Sequence, residues 1–458
     1  MKTFVRLTGR LNLSALCLSL SAIALGRAIQ FGNGFYNPTA LLWMTGALVL
    51  ALLGAVLHRL REGIPEDGVG ILATVMVAGI GWQLVELLTG QPGLYIRKEA
   101  SMPLFNGLVI LQAAGIAAGV ARLRFARQVW FPAVLGASLC LGVWMIKASP
   151  EPYIDVIPVH KEAIDAWLNG KDPYRVSFPN IYEPALAKEF YNPAALAGNR
   201  VMISYPYPPA SFYFAVPGHV LFGDYRYSEA ALLVLGAALI GFSRPGLLSK
   251  LAACLLLTTP RIWFVIEQGW TEPIGIFLLA LTVYSLIRNP IAAGLAAGLF
   301  VVTKQYLGFT GLAVLRMVFI TARRWPWTML AVAVAAAGIT LPLALWHPNS
   351  FMRNVVWLQT LEPFRMDSLS YLSWAAREGM GRGSYLWAVG AASGAAVVTS
   401  FTTRNSPTGF AASVAFTTFA MFAFGSKAFC NYYFFVIGAL CCAIAAYPLQ
   451  SQRTPVND

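Results

Sequence analysis

Long apolar stretches separated by short polar ones run along this chain, at about 11–30, 39–57, 68–89, 104–120 and 129–147. They resume at about 228–243, 249–266, 273–287, 291–303, 305–320, 327–346, 385–400, 408–424 and 430–448. Most have roughly the length a helix needs to cross the hydrocarbon core of a bilayer, about 17–22 residues. None alternates apolar and polar positions as a barrel strand does. In hydrocarbon every backbone polar group needs a partner within the chain, which a helix supplies. The pattern predicts an all-α polytopic membrane protein of about fourteen transmembrane helices, twelve to fourteen given the short 291–303 and 305–320 runs. A further apolar piece, 210–222, is short and broken by Pro217 and Gly218.

One interval breaks this rhythm. Residues 150–209 are polar and aromatic, too long for a simple connector, and carry Glu151, Asp155, Glu162, Asp165, Asp172, Glu183 and Glu189. Long loops in compact proteins are usually functional. Within the interval, 158–169 predicts a short interfacial helix with Val159, Ala163, Ala166 and Trp167 on one face. His160, Lys161, Glu162 and Asp165 fall mainly on the other, and Gly170 closes it.

Charge orients the chain. Lys2, Arg6 and Arg10 precede the first run, Arg59 and Arg61 follow the second, and Arg122, Arg124 and Arg127 follow the fourth. The positive-inside rule places all three groups in the cytoplasm, so the fifth run delivers residues 148–209 to the outside. If 210–222 enters and returns without crossing, Arg244, Lys250, Arg288, Arg323, Arg324, Arg404 and Arg453 fall inside as well. That consistency predicts a re-entrant or interfacial segment, an uncleaved first span and both termini cytoplasmic. The outside then holds 148–209, 267–272, 304–306, 347–384 and 427–433.

Composition agrees with this frame. The chain of 458 residues is 57% hydrophobic and only 12% charged. Its formal charge of +13 reads as basic loops facing anionic lipid, with no nucleic-acid partner. The six cysteines lie in or at the edge of apolar runs and predict neither a disulfide framework nor a metal site.

The outward segments hold the candidate chemistry. Asp155, soon after a span and walled by aromatics, suits a general base, against the plainer reading of a solvated interfacial acid. His160 is the interval's lone histidine. Tyr174, Tyr205 and Tyr207 sit in stiff Pro-rich turns that suit either a sugar or lipid head group or an interfacial belt. Glu267, Gln268 and Glu272 occupy a turn between two spans, where charge is expensive and by default functional. Lys304 and Gln305 interrupt an apolar run. Arg365 with Asp367, and Lys427 with Asn431, complete the set. Cations converging beside acids suit a phosphate leaving group next to a base, and structural ion pairs are the rival account. The P-loop, HExxH, GxSxG and DxD patterns are all missing from the sequence.

The early Asp of the loop, the AIDAWLNGKDPY stretch and the YPYPP turn together resemble GT-C-type membrane glycosyltransferases. They are most similar to the bacterial branch that includes polyprenyl-phosphate-mannose-dependent mannosyltransferases. GDYRYSEAALL, EQGWTEP and TKQY fit the same resemblance, which covers about 129–445 in architecture and is sharpest over 150–226. It implies inverting transfer of a mannose-like hexose or a pentose from a polyprenyl-phosphate carrier, outside a bacterial cytoplasmic membrane, to a lipid, glycan or protein acceptor. Asp155 would be the base. Lys304, Arg365 and Lys427 would bind the donor phosphate as charge-matched candidates only, with no cofactor, no protein-bound metal assigned and metal dependence left open. His160, Tyr174, Tyr205, Tyr207, Glu267, Gln268, Glu272, Gln305, Asp367 and Asn431 would bind substrate. Residues 1–128, a four-helix membrane segment of unassigned role, fall outside the resemblance, and 129–458 form the GT-C-like part. The alternative is a secondary transporter or lipid flippase, which internal repeats would favour. A polymerase- or ligase-like envelope enzyme is a third reading.

Overall fold

Helix boundaries follow local chemistry. Asn37 Oδ1 accepts the free N–H groups of Thr39 and Ala40, and Pro38 occupies the first turn, where its missing donor costs nothing. The helix before it ends where Asn33 adopts a left-handed conformation, φ 53°. The computed structural model describes residues 11–358 and 362–450. Lys2, Arg6, Arg10 and Arg453, which entered the charge argument, lie outside the described residues.

The chain folds as an all-α membrane protein. Its main helices are α1 (Leu13–Gly32), α2 (Pro38–Leu57), α3 (Glu66–Thr89), α4 (Met102–Val120) and α5 (Trp130–Ala148). Next come α6 (Val156–Leu168), α7 (Pro209–Phe222), α8 (Arg226–Gly241), α9 (Leu247–Leu257), α10 (Ile262–Glu267) and α11 (Glu272–Leu286). The last are α12 (Pro290–Val301), α13 (Trp325–Ala344), α14 (Leu386–Thr402), α15 (Pro407–Ala423) and α16 (Cys430–Ala446). Among the described residues six helices are long and apolar enough to cross a membrane: α1 to α5, and α13 with the turn that leads into it. Seven further apolar helical stretches run 10–17 residues.

Two expected spans are broken. The 249–266 run divides at Thr258–Arg261. There Pro260 lacks a donor, Arg261 takes φ 68°, and Thr258 and Thr259 turn their hydroxyls back to Cys254 O and Leu255 O. The 305–320 run becomes a 3₁₀ stretch, Gln305–Thr310, then the short helices Gly311–Leu315 and Met317–Ile320.

α11, α15 and α16 form the centre. Every residue of α16 except Tyr432 is buried, and every residue of α15 except Pro407 and Met421. α2, α4 and α13 lie outside and turn Leu42, Leu104 and Leu330 outward, as lipid-facing helices do. Gly294 and Gly298 let α12 lie directly on α13. A Cβ there would stand 2.3 Å from Thr328 O and 2.4 Å from Val332 O. The first three spans pack on later ones: α1 on α16, α2 on α15 and α3 on α9.

The polar segments sort to two ends. At one, Ile64–Pro65 pairs in parallel with Leu449–Gln450, and Arg404 donates its backbone N–H to His58 Nδ1. Arg244 reaches Ala446 O, and Arg316 reaches Thr399 O and Thr403 O. These belong to the basic loops that charge bias groups together. At the other end the 91–97, 148–209, 267–272, 304–306, 362–377 and 427–433 segments meet. α7 begins beside Val302, with Ala210 N–H on Val302 O, and the chain just after it binds Ser149, Pro150 and Glu267 through Arg226. Both ends of this 14-residue helix therefore lie at the same end of the bundle. At about 1.5 Å per residue it is also too short to span.

Candidate active site

The loop that follows α5 is anchored before it reaches Asp155. Arg226, fully buried, grips Asp224 through Nε and Nη2 and donates Nη1 to Ser149 O (2.8 Å) and Glu267 O (3.0 Å). One guanidinium thus ties the ends of α5 and α10 to the start of α8. Arg226 lies inside GDYRYSE, and a cation at the start of an apolar run was the available signal for it.

Asp155 precedes α6, yet its side chain does not cap that helix. Its carboxylate accepts a hydrogen bond from Tyr191 Oη at 2.5 Å, and its backbone N–H donates to Tyr182 Oη at 3.2 Å. Burial raises the Asp155 carboxyl above the ordinary carboxylate range, while the Tyr191 hydrogen bond and the charge of Arg365 pull it back. Arg365 is held by Asp367 at 2.8 and 2.7 Å through Nε and Nη2, leaving Nη1 unused among the described residues. Its guanidinium lies between the rings of Phe190 and Phe429, at 4.4 and 4.8 Å. Lys427 pairs with Glu362.

A second centre lies deeper. Lys304 Nζ stands 3.3 Å from Glu272 Oε1 and 4.0 Å from the centre of the Tyr207 ring, and both charged side chains are buried. Tyr306 Oη also approaches Glu272 Oε1, at 3.4 Å, while Glu272 Oε2 has no hydrogen-bond partner. Glu229, fully buried within electrostatic range of Glu272 and Lys304, has neither oxygen paired. It went unrecognised in the sequence, where it reads as the first-turn acid of a span. Tyr207 lies within electrostatic range of both Asp155 and Glu272, and Tyr432 of both Glu272 and Arg365, so the two centres share a wall.

Several expected ligand contacts have their hydrogen bonds committed inside the protein. Glu267 accepts from the backbone N–H groups of Leu94 and Tyr95, both at 2.7 Å, and from Gln268 Nε2 at 3.3 Å. It docks the loop between α3 and α4 onto the bundle. Arg261, donating to Gln91 O, and the Arg97 N–H on Ala148 O do the same. Tyr174 is buried and donates to Tyr207 O, while Gln305 Nε2 bonds Pro206 O and Val355 O. Asn431 is buried at the start of α16.

His160 requires a correction. The sequence places it on the polar face of its helix, whereas it is fully buried, stacked 4.3 Å from Tyr225. Its Nδ1 meets Val156 O at 2.9 Å. A carbonyl only accepts, so Nδ1 carries the proton and Nε2 faces the Tyr205 hydroxyl at 3.2 Å. Burial pushes the His160 imidazole down to about 3, with Lys304 adding to the effect, so the ring is neutral at physiological pH. α7 packs beneath α6, and an aromatic layer of Tyr205, Tyr207 and Tyr225 surrounds His160.

Among the described residues no group of three or more His, Cys, Asp or Glu side chains is arranged to hold a metal ion. What the arrangement offers is a desolvated carboxylate and a buried ammonium on one wall, with a partly committed guanidinium between aromatic rings. Such a set can accept a proton and stabilise an oxyanion. The chain matches no protein-family model, no curated protein and no solved structure.

Proposed function

We propose that this protein is an inverting GT-C-like glycosyltransferase. On this reading it moves a mannose-like hexose or a pentose from a polyprenyl-phosphate carrier to an acceptor hydroxyl at the outer face of a bacterial cytoplasmic membrane. The observation that carries it is the juxtaposition of Asp155 with Arg365 and, across Tyr207, with Lys304. The finer topology, about fourteen crossings with both termini cytoplasmic, goes with it. It reads the shorter apolar helices as crossings of a locally thinned or protein-lined membrane.

Asp155 removes the proton from the acceptor hydroxyl as that oxygen attacks the anomeric carbon. The bond from the anomeric carbon to the phosphate oxygen breaks, and its electron pair leaves with the phosphate. Lys304, buried where water does not screen it, and Arg365, through the Nη1 that no described residue takes up, oppose the charge that grows on the leaving oxygen. Lys427 contributes if Glu362 yields to the phosphate. α7, lying at the end of the bundle, forms one side of the groove for the carrier lipid.

The test is transfer by the purified protein in proteoliposomes, from radiolabelled polyprenyl-phosphate mannose or arabinose to octyl mannoside. Formation of a labelled disaccharide glycoside of inverted configuration supports the reading. Movement of the labelled donor between leaflets without transfer would replace it with the transporter reading.

A further inference from the structure

Asp155 is half-buried, and one of its carboxylate oxygens is already occupied. Its Oδ2 is covered by the Tyr191 hydroxyl at 2.5 Å. Tyr191 also lines a groove of about 100 Å³ with, among others, Phe190, Met202, Ile203, Leu358, Arg353 and the Glu362 that pairs with Lys427. Four of those lining side chains are apolar. Arg353 makes no ion pair among the described residues and opens a π-helical stretch, Arg353–Trp357, a geometry that recurs at functional sites. Tyr191 itself is held on its inner side by the rings of Phe178 and Tyr182.

We propose that the groove is the acceptor's entry and that the Tyr191 hydroxyl occupies, in the unliganded protein, the place on Asp155 Oδ2 that the acceptor hydroxyl takes. The occupant is an alcohol carried on an apolar body, a glycolipid-type acceptor in preference to a free sugar. When it arrives, Tyr191 gives up its bond to Asp155, and the acceptor O–H becomes the donor to the same oxygen. The proton then passes to Asp155 as the acceptor oxygen bonds the anomeric carbon and the phosphate departs with the electron pair. Tyr191 is a positioning residue under this account. The inference rests on the glycosyltransferase reading and adds the acceptor's route and class to it.

The groups facing Asp155 are the hydroxyls of Tyr191, Tyr182 and Tyr207 and the guanidinium of Arg365. Removing the Tyr191 hydroxyl takes away a hydrogen bond to the ionised carboxylate, so the carboxylate should protonate at higher pH. With polyprenyl-phosphate mannose as donor and octyl mannoside as acceptor, Tyr191→Phe should move the acidic limb of kcat/KM upward by about half a pH unit or more. The donor KM should stay unchanged. Met202→Trp, at an exposed position, should fill the groove. It should raise the KM for octyl mannoside about tenfold with little change in kcat, and should narrow the preference for octyl over methyl mannoside. An unchanged acidic limb in Tyr191→Phe together with an unchanged acceptor KM in Met202→Trp would overturn the inference and leave the transferase reading standing. Full activity in Asp155→Asn, or a wild type that transfers nothing, would remove the reading beneath it.

Discussion

The two ends of the helix bundle are both rich in arginine and treat it differently. At the basic end, Arg316 directs its guanidinium to Thr399 O, Thr403, Asn405 and Ser413, with no carboxylate among the described residues near enough to pair. It closes helix ends by satisfying carbonyls, a structural task. The same end has the roomier cavity, about 460 Å³ between Arg59, Glu62, Ser400, Thr403, Arg404 and Asn405, but its one acid is exposed and already paired with Arg404. At the opposite end the charges come as acid–cation pairs against aromatic rings, and some of their polar atoms are unmatched: Glu272 Oε2 and both oxygens of Glu229. Cavity size is therefore a poor guide here. The basic end has an unmatched buried atom too, His58 Nε2, so it is the unpaired oxygens of buried carboxylates that mark the site better.

Glu267 and Glu272 repeat the contrast across a single turn. Both are fully buried. Glu267 is saturated by two backbone donors from a distant loop, whereas Glu272 keeps an oxygen unpaired beside Lys304.

Substitutions can break this comparison. Lys304→Gln should lower the transfer rate about 10²- to 10³-fold, because a preorganised cation facing the developing charge is lost, measured as kcat per folded molecule. Equal rates would place Lys304 among the structural ion pairs. Arg316→Gln should destabilise by about 3 kcal/mol, leaving buried carbonyls without donors, and should leave kcat per folded molecule unaltered. A large fall in kcat there would erase the distinction between the ends. Glu267→Gln should cost about 2 kcal/mol in thermal unfolding with a small kinetic effect, and Glu272→Gln should do the reverse. The smallest effect concerns Asp155 itself. Burial raises its folded-state value, so the stability it contributes is present at low pH and lost as pH rises through that value. At neutral pH Asp155→Asn should thus raise Tm, by about 2–4 °C.

Much of the scaffold was legible in the sequence because burial in lipid writes long apolar runs. The first five spans match within about two residues, the usual uncertainty of helix ends. The breaks at Thr258–Arg261 and Gln305–Thr310 were harder to see, since apolar composition continues through them and only Pro260, the paired threonines and Lys304 hint at a change. The candidate site was legible where residue type is unusual for its surroundings, as with Asp155, Lys304 and Arg365. Local contacts were less legible where the deciding partner is remote. Glu267 finds Leu94 and Tyr95, in a loop far away in sequence, and His160 is drawn inward by Tyr225. Tyr191 carried no signal, being one aromatic among many in its loop until its hydroxyl is seen on Asp155.

The central claim is that Asp155 accepts the acceptor's proton at the outer end of the bundle. Transfer from labelled polyprenyl-phosphate sugar to octyl mannoside by equal amounts of folded wild type and Asp155→Asn tests it most directly. The account predicts a loss of about 10²–10⁴-fold in kcat with the donor KM preserved. Wild-type transfer by Asp155→Asn would contradict it.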